Sequence, residues 1–328
     1  MRALVLHRDP DHRVSLDDVT EADLPDGDVR IEVSHSSLNY KDGLAVTNTG
    51  KIVRGAFPFV PGIDLAGTVV ESGSEAWAVG DRVVLTGWGT GEERWGGYAE
   101  QARARAEHLV RLPEGLSTEA AMAMGTAGFT AALSVLALEH EGVTPAKGPV
   151  AVTGASGGVG SVAVALLAAA GFEVHAATGT ASAHDYLGAL GATEVVDRAT
   201  LATPPRNPMG RATWAGAVDS VGGTTLETLL ATTRRRGCVA ACGLAGGHRL
   251  STTVFPFILR GVVLHGIDSN TAPRGLREQA WARLADAIAS GVLDAVQQTV
   301  IPLAEVPAWS ERIVAGGTVG RVVVDVRA

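Results

Sequence analysis

The sequence predicts a two-part α/β chain, with short antiparallel strands closing a barrel-like domain ahead of a doubly wound parallel sheet. Three observations carry that expectation. Roughly the first 120 residues alternate apolar and polar positions between glycines and prolines, the period of half-buried strands. After Gly148, short β-rich runs alternate with helical runs of about ten residues, the pattern of a parallel sheet covered on both faces. Gly154, Gly157 and Gly160 stand where one such strand meets its helix.

The barrel strands are VRIEVSHSSLN (29–39), GIDLAGTVVESG (62–73), GDRVVLTG (80–87) and GGYAEQARA (96–104). STEAAMAMGTAGFTAALSVLAL (117–138) is a helix, with Ser117 or Thr118 as N-cap and a bend between Gly125 and Gly128. The sheet then opens with GPVAVTG (148–154) and the helix after Gly160. It continues through FEVHAAT (172–178), a helix in SAHDYLGALG (182–191) and EVVD (194–197). ATPPRNPMGRAT (202–213) is a proline-rich surface loop. WAGAVDSVG (214–222), a helix through TTLETLLATTRR (224–235), GCVAACG (237–243) and VVLHGID (262–268) complete the sheet. LREQAWARLADAIASGVL (276–293) is an amphipathic helix, and RVVVDV (321–326) a strand returning to the first domain.

With 328 residues, 46% hydrophobic and 19% charged, the chain can bury a sizeable core, which excludes a disordered protein. The net charge of −8 and the lack of a basic stripe argue against a nucleic-acid partner. The run Arg234, Arg235, Arg236 is read as a solvated helix end, where cations suit the dipole. MRALVLHRDPDHRV (1–14) lacks the apolar region of a signal peptide, and no uninterrupted apolar stretch approaches about 18 residues, so no membrane is expected. Cys238 and Cys242 are too close on one strand to bridge well, so both are expected as buried thiols in a reducing compartment, the cytoplasm.

A glycine-rich turn between a strand and a helix is the context of a dinucleotide site. Gly154 permits the tight turn, Gly157 lets backbone N–H groups approach a diphosphate at the helix N-terminus, and Gly160 permits close helix–strand packing. The alternative is a helix-packing turn without ligand. About 20 residues on, where an NAD site would place an acid for the ribose 2′-hydroxyl, the sequence has ATGTAS (177–182), with Thr178, Thr180 and Ser182. The missing carboxylate favours NADP(H). Arg198 is either a cation for the 2′-phosphate or a surface arginine at a strand end.

Further stretches fill out a family likeness: SSLNYKD (36–42), PGIDLAGTV (61–69), LTGWGTGEERWGGYAEQAR (85–103), GTAGFTA (125–131), TGASGGVGS (153–161), CGLAGG (242–247), PFILRGVVLHGIDS (256–269) and GRVVV (320–324). On these the chain resembles the medium-chain dehydrogenase/reductase superfamily, its zinc-free quinone-oxidoreductase-like branch, and within it the bacterial acryloyl-CoA reductase group. The resemblance implies a GroES-like β-barrel catalytic domain at 1–122, completed by 270–328, and a doubly wound Rossmann-type nucleotide-binding domain at 123–269. It implies NADPH as cofactor, held by Tyr40, Ser156, Gly157, Gly158, Val159, Thr178, Gly179, Thr180, Arg198, Leu244, Ile258, Ser269 and Arg321. Close relatives tend to carry Ser-Gly-Arg where this chain has Thr178, Gly179 and Thr180, so a 2′-phosphate arginine is replaced. Relatives commonly dimerise along the strand at 261–267, which implies a homodimer.

Zinc is not expected. No cysteine precedes Cys238, Ile63 and Asp64 stand where zinc relatives place His-Glu, and the nine histidines show no i, i+4 pair. Metal-free hydride transfer suits an activated C=C better than an alcohol. The expected reaction is reduction of acryloyl-CoA or a similar short enoyl-CoA, with hydride at the β-carbon and a proton at the α-carbon. Alternatives are a quinone or enone oxidoreductase on the same scaffold, and a cofactor-binding regulator or crystallin-like protein. Tyr40 and Lys41 are the candidates at the nicotinamide end, Tyr40 as hydrogen-bond partner, proton donor or plain pocket wall. Asp64 is a weaker catalytic candidate, in a helper role. Asn39 is a candidate to orient ribose or carbonyl groups, and Lys41 with Asp42 reads equally as a structural pair. Trp88 and Trp95 are acyl-pocket or core residues. Lys51, Arg54 and Arg260 are either rim cations for CoA phosphates or plain solvated side chains.

Overall fold

Period-two patterning becomes a barrel sheet in the first unit, which comprises Met1–Thr126, Ser269–Glu278 and Gln298–Ala328. The computed structural model describes residues 1–8 and 10–328. β1 (Arg2–His7) and β2 (Arg13–Asp18) form an antiparallel hairpin. β3 (Val29–Leu38) is the spine: Val29, Ile31 and Val33 face the core while Glu32 faces solvent. It pairs antiparallel with β4 (Asp64–Ser72), followed in the sheet by β5 (Arg82–Thr86), and with β6 (Gln101–Ala104); β7 (Val110–Arg111) borders β5. The alternation stops at the end of β3, where Ser36, Ser37 and Leu38 are all buried. α1 (Tyr40–Val46) begins there, capped by Asn39 and Asp42 in a capping box.

α2 (Thr118–His140) bends as expected, with the break at Gly125, whose φ is 50°. A Cβ at Gly125 would sit 2.5 Å from Asp64 Oδ2 and 2.6 Å from Ser37 Oγ. By length and composition α2 is apolar enough to cross a membrane, but 89% of its apolar window is buried inside the protein. It is a core helix.

The second unit, Ala127–Asp268 with Gln279–Gln297, alternates strand and helix. In chain order it contains β8 (Val150–Thr153), α3 (Gly158–Ala169), β9 (Val174–Thr178), α4 (His184–Ala189), β10 (Glu194–Asp197) and α5 (Arg198–Leu201). β11 (Trp214–Asp219), α6 (Gly223–Thr232), β12 (Thr233–Ala241), α7 (Phe255–Arg260) and β13 (Val263–Gly266) follow. All neighbours pair in parallel in the order β10-β9-β8-β11-β12-β13. The order reverses between β8 and β11, which opens a crevice at the carboxyl ends of those strands. Ala151, Ala217, Val239, Leu229 and Leu230 fill the core beneath.

One reading is corrected. Arg234, Arg235 and Arg236 do not end a helix; they lie in β12. The Thr232 and Thr233 hydroxyls donate back to Thr228 O and Leu229 O, each at 2.6 Å, and Thr233 already pairs with Trp214. These back-bonds compete with helix continuation, so α6 stops first.

α8 (Arg274–Ala289) departs from the expected domain boundary at 270. From Gln279 onward it packs with the second unit. Trp281 stacks on Phe129 at 6.3 Å, and Arg283 forks onto Glu139 at 2.6 and 2.8 Å. The chain then returns through β14 (Gln298–Pro302), α9 (Val306–Val314) and β15 (Arg321–Asp325). β15 pairs antiparallel with β3, as RVVVDV predicts.

Candidate active site

In the second unit the candidate residues gather at the carboxyl ends of β8 and β9. Gly154 sits at φ 59°, where a side chain is strained, and a Cβ there would lie 2.5 Å from Ser220 Oγ. A Cβ on Gly160 would run into Gly154 O, so this glycine lets α3 close onto the turn. Gly157 is different. Its backbone is extended, it caps α3, and the nearest atom to an added Cβ is Gly154 O at 3.3 Å. Internal packing asks little of it. Its missing side chain leaves open the approach to the first-turn N–H groups of α3, at Gly158 and Val159, a ready anion site.

The turn is stitched to β9. Ser156 Oγ lies 3.1 Å from Thr178 Oγ1, which also accepts from Thr180 N–H at 3.1 Å. Arg198 lies across Gly179, its Cζ 2.8 Å from where a Cβ would stand. The end of β9 thus offers hydroxyls and a cation, with no carboxylate among residues 178–183. Leu244 follows β12, next to Gly222, and Ile258 projects from α7; both are largely exposed.

Sequence reasoning missed the lock at the crevice. Thr153 Oγ1 donates to Asp219 Oδ1 at 2.6 Å, and Val221 and Gly222 N–H donate to the same carboxylate at 3.2 and 2.9 Å. Burial raises the Asp219 pKa in spite of these donors. The available signal was an acid closing a wholly buried strand just before a glycine pair.

In the first unit, the buried hydroxyls at the end of β3 enter a polar cluster. Asp64 is fully buried; it accepts from Ser37 Oγ, from Asn39 Nδ2 at 2.8 Å, and from Thr126 N–H and Oγ1 at 2.7 and 2.5 Å. Asp42 accepts from Asn39 N–H and Ile63 N–H, both at 2.9 Å, and from Asn39 Nδ2 at 3.1 Å. Arg321 is buried too, donating from Nε to Ala123 O at 2.7 Å and from Nη2 to Asn39 Oδ1 at 3.4 Å. Asn39 therefore sits among both acids and the arginine. Tyr40, the next residue, begins α1 and is 47% exposed. Ser269 opens the return segment, its carbonyl accepting from Arg277.

Burial, reinforced by the Asp64 charge, lifts Asp42 from 3.8 to about 7. The folded protein therefore binds a proton that the unfolded chain releases, so this contribution to stability is fully present below 3.8 and is lost as pH rises toward 7. Asp42→Asn has no such loss. The melting-temperature advantage of wild type over Asp42→Asn is expected to shrink between pH 5 and pH 8, and a constant gap contradicts the assignment.

Several cation readings change. Lys41 does not pair with Asp42; its Nζ bonds Glu92 Oε1 at 2.8 Å. Arg54 is held by Glu92 and Glu93 at 3.2 and 2.9 Å. Arg260 is spent on the carbonyls of Gly210, Ala231 and Thr233, as a structural clasp in the second unit. Lys51 is exposed, and Trp95 Nε1 donates to Pro58 O at 3.3 Å. Among the described residues no group of three or more His, Cys, Asp or Glu could hold a metal ion.

Residues 25–114 match the alcohol dehydrogenase GroES-like domain, and residues 158–290 match the zinc-binding dehydrogenase family. The chain is 49% identical over 329 residues to acrylyl-CoA reductase AcuI of Ruegeria pomeroyi, covering 99% of each. The chain belongs to the medium-chain dehydrogenase/reductase superfamily. Within that superfamily its fold lies close to the yhdH oxidoreductase from Salmonella enterica, solved in complex with NADP, with a TM-score of 0.95, 49% identity and 99% of each chain covered. It is also similar to Bacillus subtilis protein yhfP, solved with NAD bound, with a TM-score of 0.93, 42% identity and coverage of 99% and 98%. As in other medium-chain dehydrogenases, a GroES-like domain accompanies a Rossmann-type domain.

Proposed function

We propose that this chain is an NADPH-dependent reductase of acryloyl-CoA or a similar short enoyl-CoA. The observation that carries the reading is the anion cradle at Gly157 and α3, in a chain 49% identical along its whole length to an acrylyl-CoA reductase. The donor set fits the cofactor: first-turn N–H groups for the diphosphate, and Ser156, Thr178, Thr180 and Arg198 beside the ribose. Arg198 supplies the cation that Thr180 cannot. Arg198→Ala is expected to weaken NADPH binding about tenfold or more while changing NADH less than about threefold, read by titration of each; equal losses contradict a 2′-phosphate role.

Bound NADPH supplies the hydride that reaches the electrophilic β-carbon. The chain's own work is placement and protonation. Asn39 is pinned from both sides by Asp42 and Asp64, which fixes the start of α1 and hence Tyr40. The Tyr40 hydroxyl is the proposed donor, first hydrogen-bonding the developing enolate oxygen and then delivering its proton to the α-carbon, with solvent restoring it. Asp64 acts through Asn39. The reaction is read as zinc-independent, since the Asp64 carboxylate is already committed to Ser37, Asn39 and Thr126. NADPH oxidation with acryloyl-CoA tests the reading; binding of NADPH without turnover of any enoyl-CoA or quinone would instead favour a cofactor-binding regulator.

The edge strand β13 and the neighbouring α7, with exposed Phe255, Ile258 and Leu259, support a homodimer, because an apolar sheet edge needs cover. Light scattering on a sizing column is expected to give twice the chain mass, and a pure monomer contradicts it. A cytoplasmic location is proposed because both cysteines, Cys238 and Cys242, are free thiols.

A further inference from the structure

Asp219 closes β11, a strand whose six residues are all buried, and its carboxylate meets donors only. Oδ1 accepts from Thr153 Oγ1 at 2.6 Å and from Val221 N–H at 3.2 Å, and Oδ2 from Gly222 N–H at 2.9 Å. The direction of the threonine bond is fixed, because Thr153 Oγ1 already accepts from Ser220 N–H at 3.1 Å. Its own proton therefore points to Asp219. An ionised carboxylate, which only accepts, satisfies all three donors. An asparagine amide sets an NH2 against an N–H or O–H whichever way it is flipped.

That carboxylate fastens the root of the glycine-rich turn. Thr153 ends β8 and precedes Gly154, and Ser220 Oγ donates back to Thr153 O at 3.0 Å. Gly154 O accepts from Gly157 N–H at 3.0 Å and is the atom against which Gly160 packs. The first turn of α3 is thus built on the carbonyl of Gly154, whose place is set through Thr153. On the other side, Asp219 O accepts from Cys242 N–H at 2.8 Å, and Val221 O from Gly246 N–H at 2.7 Å. A Cβ on Gly222 would lie 2.5 Å from Gly247 O, an approach that leaves no room for a side chain. Three segments at the carboxyl edge of one sheet, after β8, β11 and β12, therefore meet around one buried acid, all within the second unit.

We propose that Asp219 is a positioning residue for the cofactor: through Thr153 it holds Gly154, and with it the first turn of α3, where the diphosphate is received. The inference rests on the reading of Gly157 and α3 as the diphosphate cradle. Asp219 is fully buried and acts only through the turn. A cradle set in place before the ligand arrives spends no binding energy on ordering itself. Because the diphosphate is common to NADPH and NADH, loosening the turn weakens both alike, whereas loss of Arg198 separates them.

The test measures NADPH and NADH affinity by fluorescence titration, beside melting temperature, for Asp219→Asn, Thr153→Val, Thr153→Ser and the core variant Leu138→Ala. Thr153→Val keeps the shape and suits a buried strand but removes the proton given to Asp219, and is expected to weaken both cofactors about tenfold. Asp219→Asn is expected to weaken both at least as much. Thr153→Ser restores the hydroxyl and should bind both within about threefold of wild type. Leu138→Ala empties a fully buried place in α2, so it should lower the melting temperature and leave both affinities unchanged. Thr153→Val carries the test if Asp219→Asn does not fold. Unchanged affinities in Thr153→Val, or an equal loss in Leu138→Ala, overturn the role of Asp219 when Gly157→Asp abolishes binding. If Gly157→Asp binds NADPH like wild type, the cradle reading itself fails, and this inference with it.

Discussion

Gly157→Asp is expected to abolish measurable NADPH binding while the second unit stays folded. The two effects separate because Gly157 has extended backbone that any residue adopts, and an added Cβ meets only Gly154 O, at 3.3 Å. Aspartate is moreover a favoured N-cap, and its charge suits the positive end of α3. The substitution should therefore leave the melting temperature unchanged or slightly raised. The same carboxylate fills the space a diphosphate needs and repels it, so affinity is expected to fall by more than about 100-fold, or about 2.7 kcal/mol. Calorimetric titration beside a thermal melt reads both. Unaltered affinity would remove Gly157 from the site.

Asp64→Ala is expected to be the most damaging single change in the first unit. It removes the fully buried carboxylate that accepts from Ser37, Asn39 and Thr126, while Asn39 Nδ2 keeps Asp42. Each orphaned buried donor costs about 1–3 kcal/mol, and incomplete collapse of the site adds a cavity term, so a loss of about 4 kcal/mol or more follows. Asp64→Asn keeps the shape and one acceptor, and should lose markedly less. Activity falls with both, because Asn39 loses one of its two anchors and the start of α1 is held less firmly. Urea unfolding at neutral pH measures the difference; a loss below about 1 kcal/mol for the alanine variant contradicts this account.

The strand–turn–helix around Gly154 was legible because its constraints are local. A left-handed φ and a close approach leave glycines at fixed spacing in the sequence. The parallel doubly wound sheet was likewise legible from alternating β-rich and helical runs, though not its strand order. What escaped depends on partners distant in the chain. The arginines after α6 looked like a helix end because nothing local reveals that Thr233 pairs with Trp214. Amphipathic patterning found α8 but not the change of partner at Gln279, since periodicity reports a buried face and not which core it meets. Asp64 was singled out, yet for Asp42 beside it only a pairing with Lys41 was considered as a structural role, and the partner of Lys41, Glu92, lies 51 residues away. The role of Asp219 escaped for the same reason: Thr153, which bonds it, stands 66 residues away.

NADPH and NADH oxidation, followed in parallel with acryloyl-CoA, crotonoyl-CoA and 1,4-benzoquinone, decides whether the chain reduces enoyl thioesters. Acryloyl-CoA is expected to be the best substrate, with NADPH the preferred reductant. Turnover of benzoquinone with no turnover of either thioester, or no oxidation of NADPH by any of the three, would contradict this expectation.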